Sequence, residues 1–506
     1  MRTLSVLALA LPAAACVSEH GPLTNRMSQS ATPYLERAAR QPVSWQPWGR
    51  EAFALAARLD RPVLLYVGAD DCRWCAVMDR EVYGDPALGA LIDSLFVPVR
   101  VDRDERPDVA QRYESAVQWL AGLRGYPVTV FLAPDGSAFF GGTYFPADDP
   151  VTGRGLKQIL PEVARSYREQ RGAVLQRATL VRQLGLTRAA RARGVLHSAT
   201  VETEIAAVRS VLRQAAGSRA ALGGVAHTLA VSLLLATFGR TGDSTYLDVA
   251  RTTLDFIVDS GDAAVADPVR DDPPALVRAG LLRNLAVGWA FTGDQRYRAA
   301  AGALMQRLAR DLASDEPATF ADRRAYVIGS VLEAAAATGD SVAAGRAVGA
   351  LDTLLRRTYA RGRGVRHIAG AAAPGLLQDQ VQMASACLAA YGHTGARRYV
   401  AAAQDLAAVL EREFADSAGG GYFDAAATDS PAPGVADRAK PVLDDLLPGG
   451  NAWAARVLLQ LAEATGDARY RRRAEETLEA FAGAVGGEGV RASSYLATAQ
   501  HVFAAR

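Results

Sequence analysis

The chain reads as an α/β domain followed by an all-α toroid, and three observations predict this. An apolar run, Pro62-Val63-Leu64-Leu65-Tyr66-Val67, leads into Cys72-Arg73-Trp74-Cys75 and then into Ala76 to Val82, which can continue as a helix. Further on, Gly125-Tyr126-Pro127-Val128-Thr129-Val130-Phe131-Leu132 places a proline at the head of a β-branched run, where a strand tolerates it. From residue 155 or so onward, strand signals nearly vanish and a Thr-Gly-Asp motif recurs between alanine- and leucine-rich segments.

Length and composition bound the rest. At 506 residues, half of them apolar, the chain holds two or three domains with ample core. A formal charge of +2, from 56 basic and 54 acidic residues, argues against a nucleic-acid partner. Lys157 and Lys440 are the only lysines, and the arginines are balanced by acids throughout, so they are a compositional bias and not a phosphate-binding surface. Four cysteines in so long a chain make no disulfide framework.

Residues 1–16 are a targeting segment. Arg2 is a short positive region, Leu4 to Leu11 an apolar core too short to span a bilayer, and Ala13-Ala14-Ala15 a small-residue cleavage site. Cleavage there leaves Cys16 first, which resembles a bacterial lipoprotein signal, although that motif usually carries Leu where this chain has Ala13. The expectation is an exported protein, periplasmic or on the outer surface, that meets a membrane only through a lipid on Cys16. The alternative is an uncleaved, cytoplasmic chain.

The α/β domain spans residues 25–175. A strand that hands over to a helix sets Cys72 beside unpaired N–H groups and the positive end of the helix dipole, which favour a thiolate. One helical turn later Cys75 is within disulfide reach, so it can resolve a mixed disulfide formed by Cys72. A zinc half-site would need a second ligand pair, but Cys16 and Cys387 stand alone and none of the six histidines is spaced as a partner. An inert buried pair is the remaining alternative. An apolar strand, Phe96 to Val101, a helix, Asp108 to Leu120, and a hairpin partner, Ala138 to Gly142, complete a thioredoxin-like order of elements. In such folds the proline, here Pro127, is cis and packs over the dithiol.

Several motifs then resemble one family. They are Asn25-Arg26, Ser30-x-x-Pro33-Tyr34-Leu35, Gln41-Pro42-Val43-x-Trp45-x-Pro47-Trp48-Gly49, Cys72-x-Trp74-Cys75, Val101-Asp102-Arg103-Asp104-Glu105-Arg106-Pro107-Asp108 and Phe140-Gly141-Gly142-Thr143-Tyr144-Phe145-Pro146. Together they look like the thioredoxin domain of the spermatogenesis-associated protein 20-like proteins, also known as DUF255. The resemblance implies an (α/α) toroid similar to six-hairpin glycosidases after that domain. This chain departs from the family's Cys-His-Trp-Cys-His pattern, with Arg73 and Ala76 at the histidine positions. Arg73 would place a guanidinium beside Cys72, or would simply be solvated. Tyr66 stands where many thioredoxins bury a proton-relaying acid, and Asp70 or Asp71 could substitute for it or raise the thiol pKa by repulsion.

After a helical connector, 176–200, residues 201–506 form the toroid. Helical stretches at Gln158 to Arg171 and Ala173 to Gln183 precede a basic, weakly patterned segment, Leu184 to Ala199. The repeat occurs at Thr241-Gly242-Asp243, Thr292-Gly293-Asp294, Thr338-Gly339-Asp340, Thr394-Gly395 and Thr465-Gly466-Asp467. In each, the glycine ends one helix in the left-handed region and the aspartate caps the next. A period longer than that of tetratricopeptide arrays points to a closed ring and not an open solenoid.

Toroids of this kind act on sugars through paired carboxylates at one rim. The candidates here are Asp379, Asp424 and the Asp444-Asp445 pair, each of which could instead be a cap or loop brace. The family's Pro-His-Phe-Glu-Lys-type segment has no counterpart at Asp267 to Leu276, so its histidine and glutamate are missing. The expected activity is thiol–disulfide exchange with a thiol- or disulfide-bearing protein partner, needing no cofactor and no metal. Cys72 would attack, Cys75 resolve, Pro127 shape the groove and Trp74 cover the site. Two alternatives are a glycan- or protein-binding chain with a relic dithiol, and a sugar-active enzyme using Asp379 and Asp424.

Overall fold

The computed structural model describes residues 23–149, 151, 153–190, 192–215, 224–260, 273–313, 320–370, 375–426 and 438–504. The targeting segment and Cys16 lie outside them.

The first domain runs α1 (Pro33–Ala38), β1 (Gln46–Pro47), α2 (Arg50–Leu59), β2 (Val63–Gly68), α3 (Arg73–Glu81), α4 (Pro86–Leu95), β3 (Val97–Asp102), α5 (Pro107–Ala121), β4 (Val128–Leu132), β5 (Ala138–Gly142), α6 (Leu156–Glu169) and α7 (Arg171–Ala190). Its five strands lie in the order β1-β3-β2-β4-β5. β3 is parallel to β1 and β2, while β4 is antiparallel to both β2 and β5. This is the thioredoxin-like arrangement. β2 and β3 are buried on both faces, which is why they read as near-continuous apolar runs. Alternation splits their side chains between two cores. Leu64 and Tyr66 pack with Trp45, Met78 and Phe131 on one face, and Val63, Leu65 and Val67 pack with Phe53, Val109 and Val130 on the other.

One boundary shifts. α7 is a single helix through most of the expected connector, and Val174 and Ala178 still belong to the first domain's core. The helix expected at Ala173 to Gln183 runs on to Ala190. Beyond it, Gly194 N–H donates to the Glu479 carbonyl and Gly483 N–H to the Ala192 carbonyl, tying the connector to the toroid.

The toroid contains α8 (Ser198–Ala215), α9 (Gly224–Thr241), α10 (Ser244–Ser260), α11 (Pro274–Thr292), α12 (Gln295–Ala313), α13 (Ala321–Thr338), α14 (Ser341–Thr358), α15 (Leu377–Thr394), α16 (Arg397–Val409), α17 (Gly450–Thr465), α18 (Ala468–Glu479) and α19 (Ser493–Ala504). Helix α9 packs on α11, α11 on α13, α13 on α15, α15 on α17, α17 on α19, and α19 back on α9, which closes an inner ring. The intervening helices and α8 pack outside it, so the second domain is an all-α (α/α) toroid. Inner helices are apolar nearly all round and outer ones along one stripe, as layered packing requires.

Each Thr-Gly-Asp turn joins the end of an inner helix to the start of an outer one. Gly242, Gly293, Gly339, Gly395 and Gly466 have φ of 70, 71, 73, 66 and 74°. The side chains of Asp243, Asp294, Asp340 and Asp467 accept from N–H groups two or three residues on. All these turns therefore share one end of the ring, and the first domain meets the other end, where the inner helices begin. No helix among the described residues is long and apolar enough to cross a membrane.

Candidate functional site

β2 ends at Gly68, and the chain turns through Ala69 to Asp71 to reach Cys72, the N-cap of α3. Cys72 Sγ accepts the Cys75 N–H at 3.1 Å, so a sulfur takes the capping role that an oxygen usually fills. The two cysteines form a disulfide with Cα atoms 5.2 Å apart. In a reduced pair, that same N–H and the helix dipole would favour a thiolate at Cys72. The Tyr126–Pro127 peptide is cis. Val67 pairs with Val128, so Pro127 heads β4 directly beside the end of β2. Tyr126 packs against Ala69, Cys72 and Cys75, and both sulfurs are buried.

Trp74 is 51% exposed and leans on Tyr144 with ring centroids 5.0 Å apart. It stands in the first turn of α3, directly after Cys72 and Arg73, with one side toward solvent. Arg73 is exposed, with no ion pair among the described residues.

Beneath the sulfurs lies an aromatic and ionic floor. Tyr66 Oη donates to the Cys75 carbonyl at 3.4 Å. Arg100, buried, holds Asp79 through two bonds of 2.7 and 2.8 Å and stacks over Tyr34 and Tyr66. Neither Asp70 nor Asp71 is free to relay protons. Asp70 pairs with Arg37, and Asp71 accepts from Arg103 at 2.6 Å.

From Asp71 a polar chain crosses into the toroid. Arg103 Nε bonds Asp104 at 2.8 Å, and Arg323, at the start of α13, bonds the same carboxylate. Burial opposes charge on Asp104, yet Arg323 and Arg103 hold its carboxyl down at about 2. His367 Nε2 donates to the Asp104 carbonyl at 2.8 Å and Nδ1 donates to Asp379 at 2.9 Å. With both nitrogens donating, the ring is an imidazolium. Burial disfavours that charge, but Asp379 and Asp322 raise its pKa to about 10. Ligand atoms of Asp322, His367 and Asp379 lie within 4.8 Å of one another, a spacing a metal could use. Neither ring nitrogen has a lone pair to offer, so this donor set does not fit one. His367 was not singled out in the sequence because its partners are distant in it.

The toroid acids face the first domain. Asp379 is buried and its oxygens accept from His367, the Asp322 N–H and the Leu376 N–H, so it caps α15 and braces the seam. Asp444 accepts the Gly449 and Ser494 N–H groups at 2.9 Å each, and burial pushes its carboxyl up to about 7. Asp445 is half-buried beside it. Asp424 is buried, with neither carboxyl oxygen hydrogen-bonded among the described residues. Burial first, then the charge of Asp108 in α5, raises its pKa. Deeper in the ring, Glu333 of α13 bonds Arg456 of α17 at 3.0 Å and Arg283 of α11 at 3.5 Å, so side chains bridge the lumen.

Residues 24–184 match the family described as a protein of unknown function, DUF255. Human spermatogenesis-associated protein 20 is 38% identical over 157 residues, 31% of this chain and 20% of that protein. An uncharacterized protein of Caenorhabditis elegans is 38% identical over 160 residues, 32% of this chain and 22% of its own length. The chain thus spans about a fifth of the length of the curated relatives it matches. Among solved structures, unsaturated glucuronyl hydrolase from Bacillus sp. GL1 is 14% identical with a TM-score of 0.42, covering 56% of this chain and 83% of that one. A GH76 α-mannanase from Bacteroides thetaiotaomicron is 17% identical with a TM-score of 0.34, covering 40% and 59%. These likenesses are loose, and the toroid stands on its own closed ring of helices. Residues 24–184 are thus similar to the DUF255 family and to part of spermatogenesis-associated protein 20, and the likeness extends over about a third of the chain.

Proposed function

We propose that this chain is a thiol–disulfide oxidoreductase whose toroid supplies a docking surface for a thiol- or disulfide-bearing protein. One observation carries the reading: Cys72 sits at a helix N-cap, bridged to Cys75 and accepting its N–H, with the cis-proline loop packed against the pair. Cys72 attacks a substrate disulfide as a thiolate, and Cys75 releases the product by closing the intramolecular bridge. An extended substrate would pair with the backbone of Tyr126 ahead of Pro127. Export and anchoring through Cys16 would suit a dithiol that spends part of its cycle oxidised. Insulin reduction by the purified protein tests the reading. Wild type should turn over and Cys72→Ser should not; equal rates in both would end it.

A sugar-cleaving reading draws little from Asp379, whose oxygens are spent on His367 and two backbone N–H groups. Asp424 is buried, and the charge of Asp108 in the thioredoxin-like domain bears on it.

A further inference from the structure

Gly68, at the end of β2 under the dithiol, carries no side chain, and its neighbours fill the place one would take. A methyl group built on Gly68 would lie 3.2 Å from Cys75 Sγ and would collide with the Tyr34 hydroxyl, so sulfur and phenol both close on this one backbone position. In the parallel ladder Gly68 pairs with Asp102, and paired residues point to the same face. Two residues back on each strand, Tyr66 pairs with Arg100, whose guanidinium lies 5.0 Å from the Tyr66 ring and 4.5 Å from that of Tyr34. That contact fixes the face: Asp102 points to the side that holds Tyr34 and Cys75. Asp102 is itself buried, and its Oδ1 accepts the Asp104 N–H at 2.8 Å.

We propose that Asp102 receives the proton of the Cys75 thiol, passed through the Tyr34 hydroxyl, when Cys75 resolves a mixed disulfide on Cys72. The inference rests on the exchange activity proposed above. The step balances: Cys75 sulfur bonds to Cys72 sulfur, the bond from Cys72 to the substrate sulfur breaks, and the substrate leaves as a thiolate. The Cys75 proton moves to Tyr34, whose own proton moves to the Asp102 carboxylate. In the opposite direction Asp102 returns it as the bridge opens.

The surroundings suit both partners. Burial, and then the charge of Asp104, pushes the Asp102 carboxyl up to about 6, so it can take and release a proton near neutrality. Burial pushes the Tyr34 phenol well above its ordinary value, so it transfers a proton without staying ionised. The groups that bear on them are Thr32 from the start of α1, Tyr66 from β2, Asp104 and Glu105 after β3, and Arg100 with its Asp79 partner from α3. The aspartates before the motif are committed to Arg37 and Arg103. Asp79 is likewise committed to Arg100, which leaves Asp102 as the buried acid that bears on Tyr34.

Mixing the reduced, full-length protein with 5,5′-dithiobis(2-nitrobenzoate) separates the steps. The first equivalent of thionitrobenzoate reports attack by Cys72, and the second reports resolution by Cys75. Asp102→Asn and Tyr34→Phe should keep the first phase and slow the second by about tenfold or more near pH 7. Asp102→Asn should also erase the inflection near pH 6 in the wild-type second phase. Tyr34→Phe removes only a hydroxyl and serves if Asp102→Asn fails to fold. Unchanged second phases with an intact pH profile overturn this inference alone. A wild type that releases no first equivalent overturns the exchange reading and this inference with it.

Discussion

The backbone carbonyl of Asp104 in the thioredoxin-like domain accepts a 2.8 Å hydrogen bond from Nε2 of His367 in the toroid. The imidazolium is clamped between that carbonyl and the Asp379 carboxylate, and it compensates two acids that would otherwise be buried and unpaired.

Removing the ring by His367→Ala should destabilise the protein by about 3 kcal/mol, because Asp379 and Asp322 lose their counter-charge. Denaturant unfolding followed by tryptophan fluorescence measures it. The pH dependence has a defined sign. Because the folded pKa is raised to about 10 from an ordinary 6.5, the contribution is complete below pH 6.5 and drains away as pH rises through 10. Melting temperatures that stay flat from pH 7 to 10.5 would contradict the imidazolium assignment.

Asp104 titrates in the opposite sense. Its carboxyl is held at about 2, below the ordinary 3.8, so its stabilisation is present above pH 4 and is lost as pH falls through 2. Asp104→Asn should cost about 2 kcal/mol and loosen the seam, since Arg323 loses its charged partner. Calorimetry should show the two domains melting further apart than in wild type; one coincident transition would count against the seam.

Cys72 should be the reactive thiol. After reduction, limited alkylation with mass-spectrometric readout should label Cys72 before Cys75, given its N-cap position. Preferential labelling of Cys75 would reverse the assigned roles.

The toroid turns offer a stability test remote from the dithiol. Asp340 accepts from the Val342 and Ala343 N–H groups at 3.1 and 2.9 Å, and Asp340→Ala should cost about 1 kcal/mol. Thermal unfolding reads the loss, and insulin reduction should be unaffected.

Attachment through Cys16 predicts that wild type sediments with membranes and Cys16→Ser does not. If both variants remain in the cytoplasmic fraction, the export reading fails.

What could be read from the sequence was local. The Thr-Gly-Asp turns involve three adjacent residues and announce themselves, as does a strand running into Cys72-x-x-Cys75. The seam was hidden because His367 and Asp104 are 263 residues apart and His367 sits in no pattern of its own. Asp102 was visible within a motif, but its place under Cys75 depends on the pairing of β3 with β2. Asp379 was visible as an acid, whereas its saturation by three donors became apparent only once α13 and the His367 loop were packed beside it.

Ring closure has a consequence for biosynthesis. The first and last parts of the toroid meet where α19, Ser493–Ala504, packs on α8 and α9. A ribosome emits these partners at opposite ends of the domain's synthesis, so α9 waits with one flank bare until the final helix emerges. The thioredoxin-like domain has no such delay. It can mature while the chain is still growing, and the toroid then closes around a surface already in place.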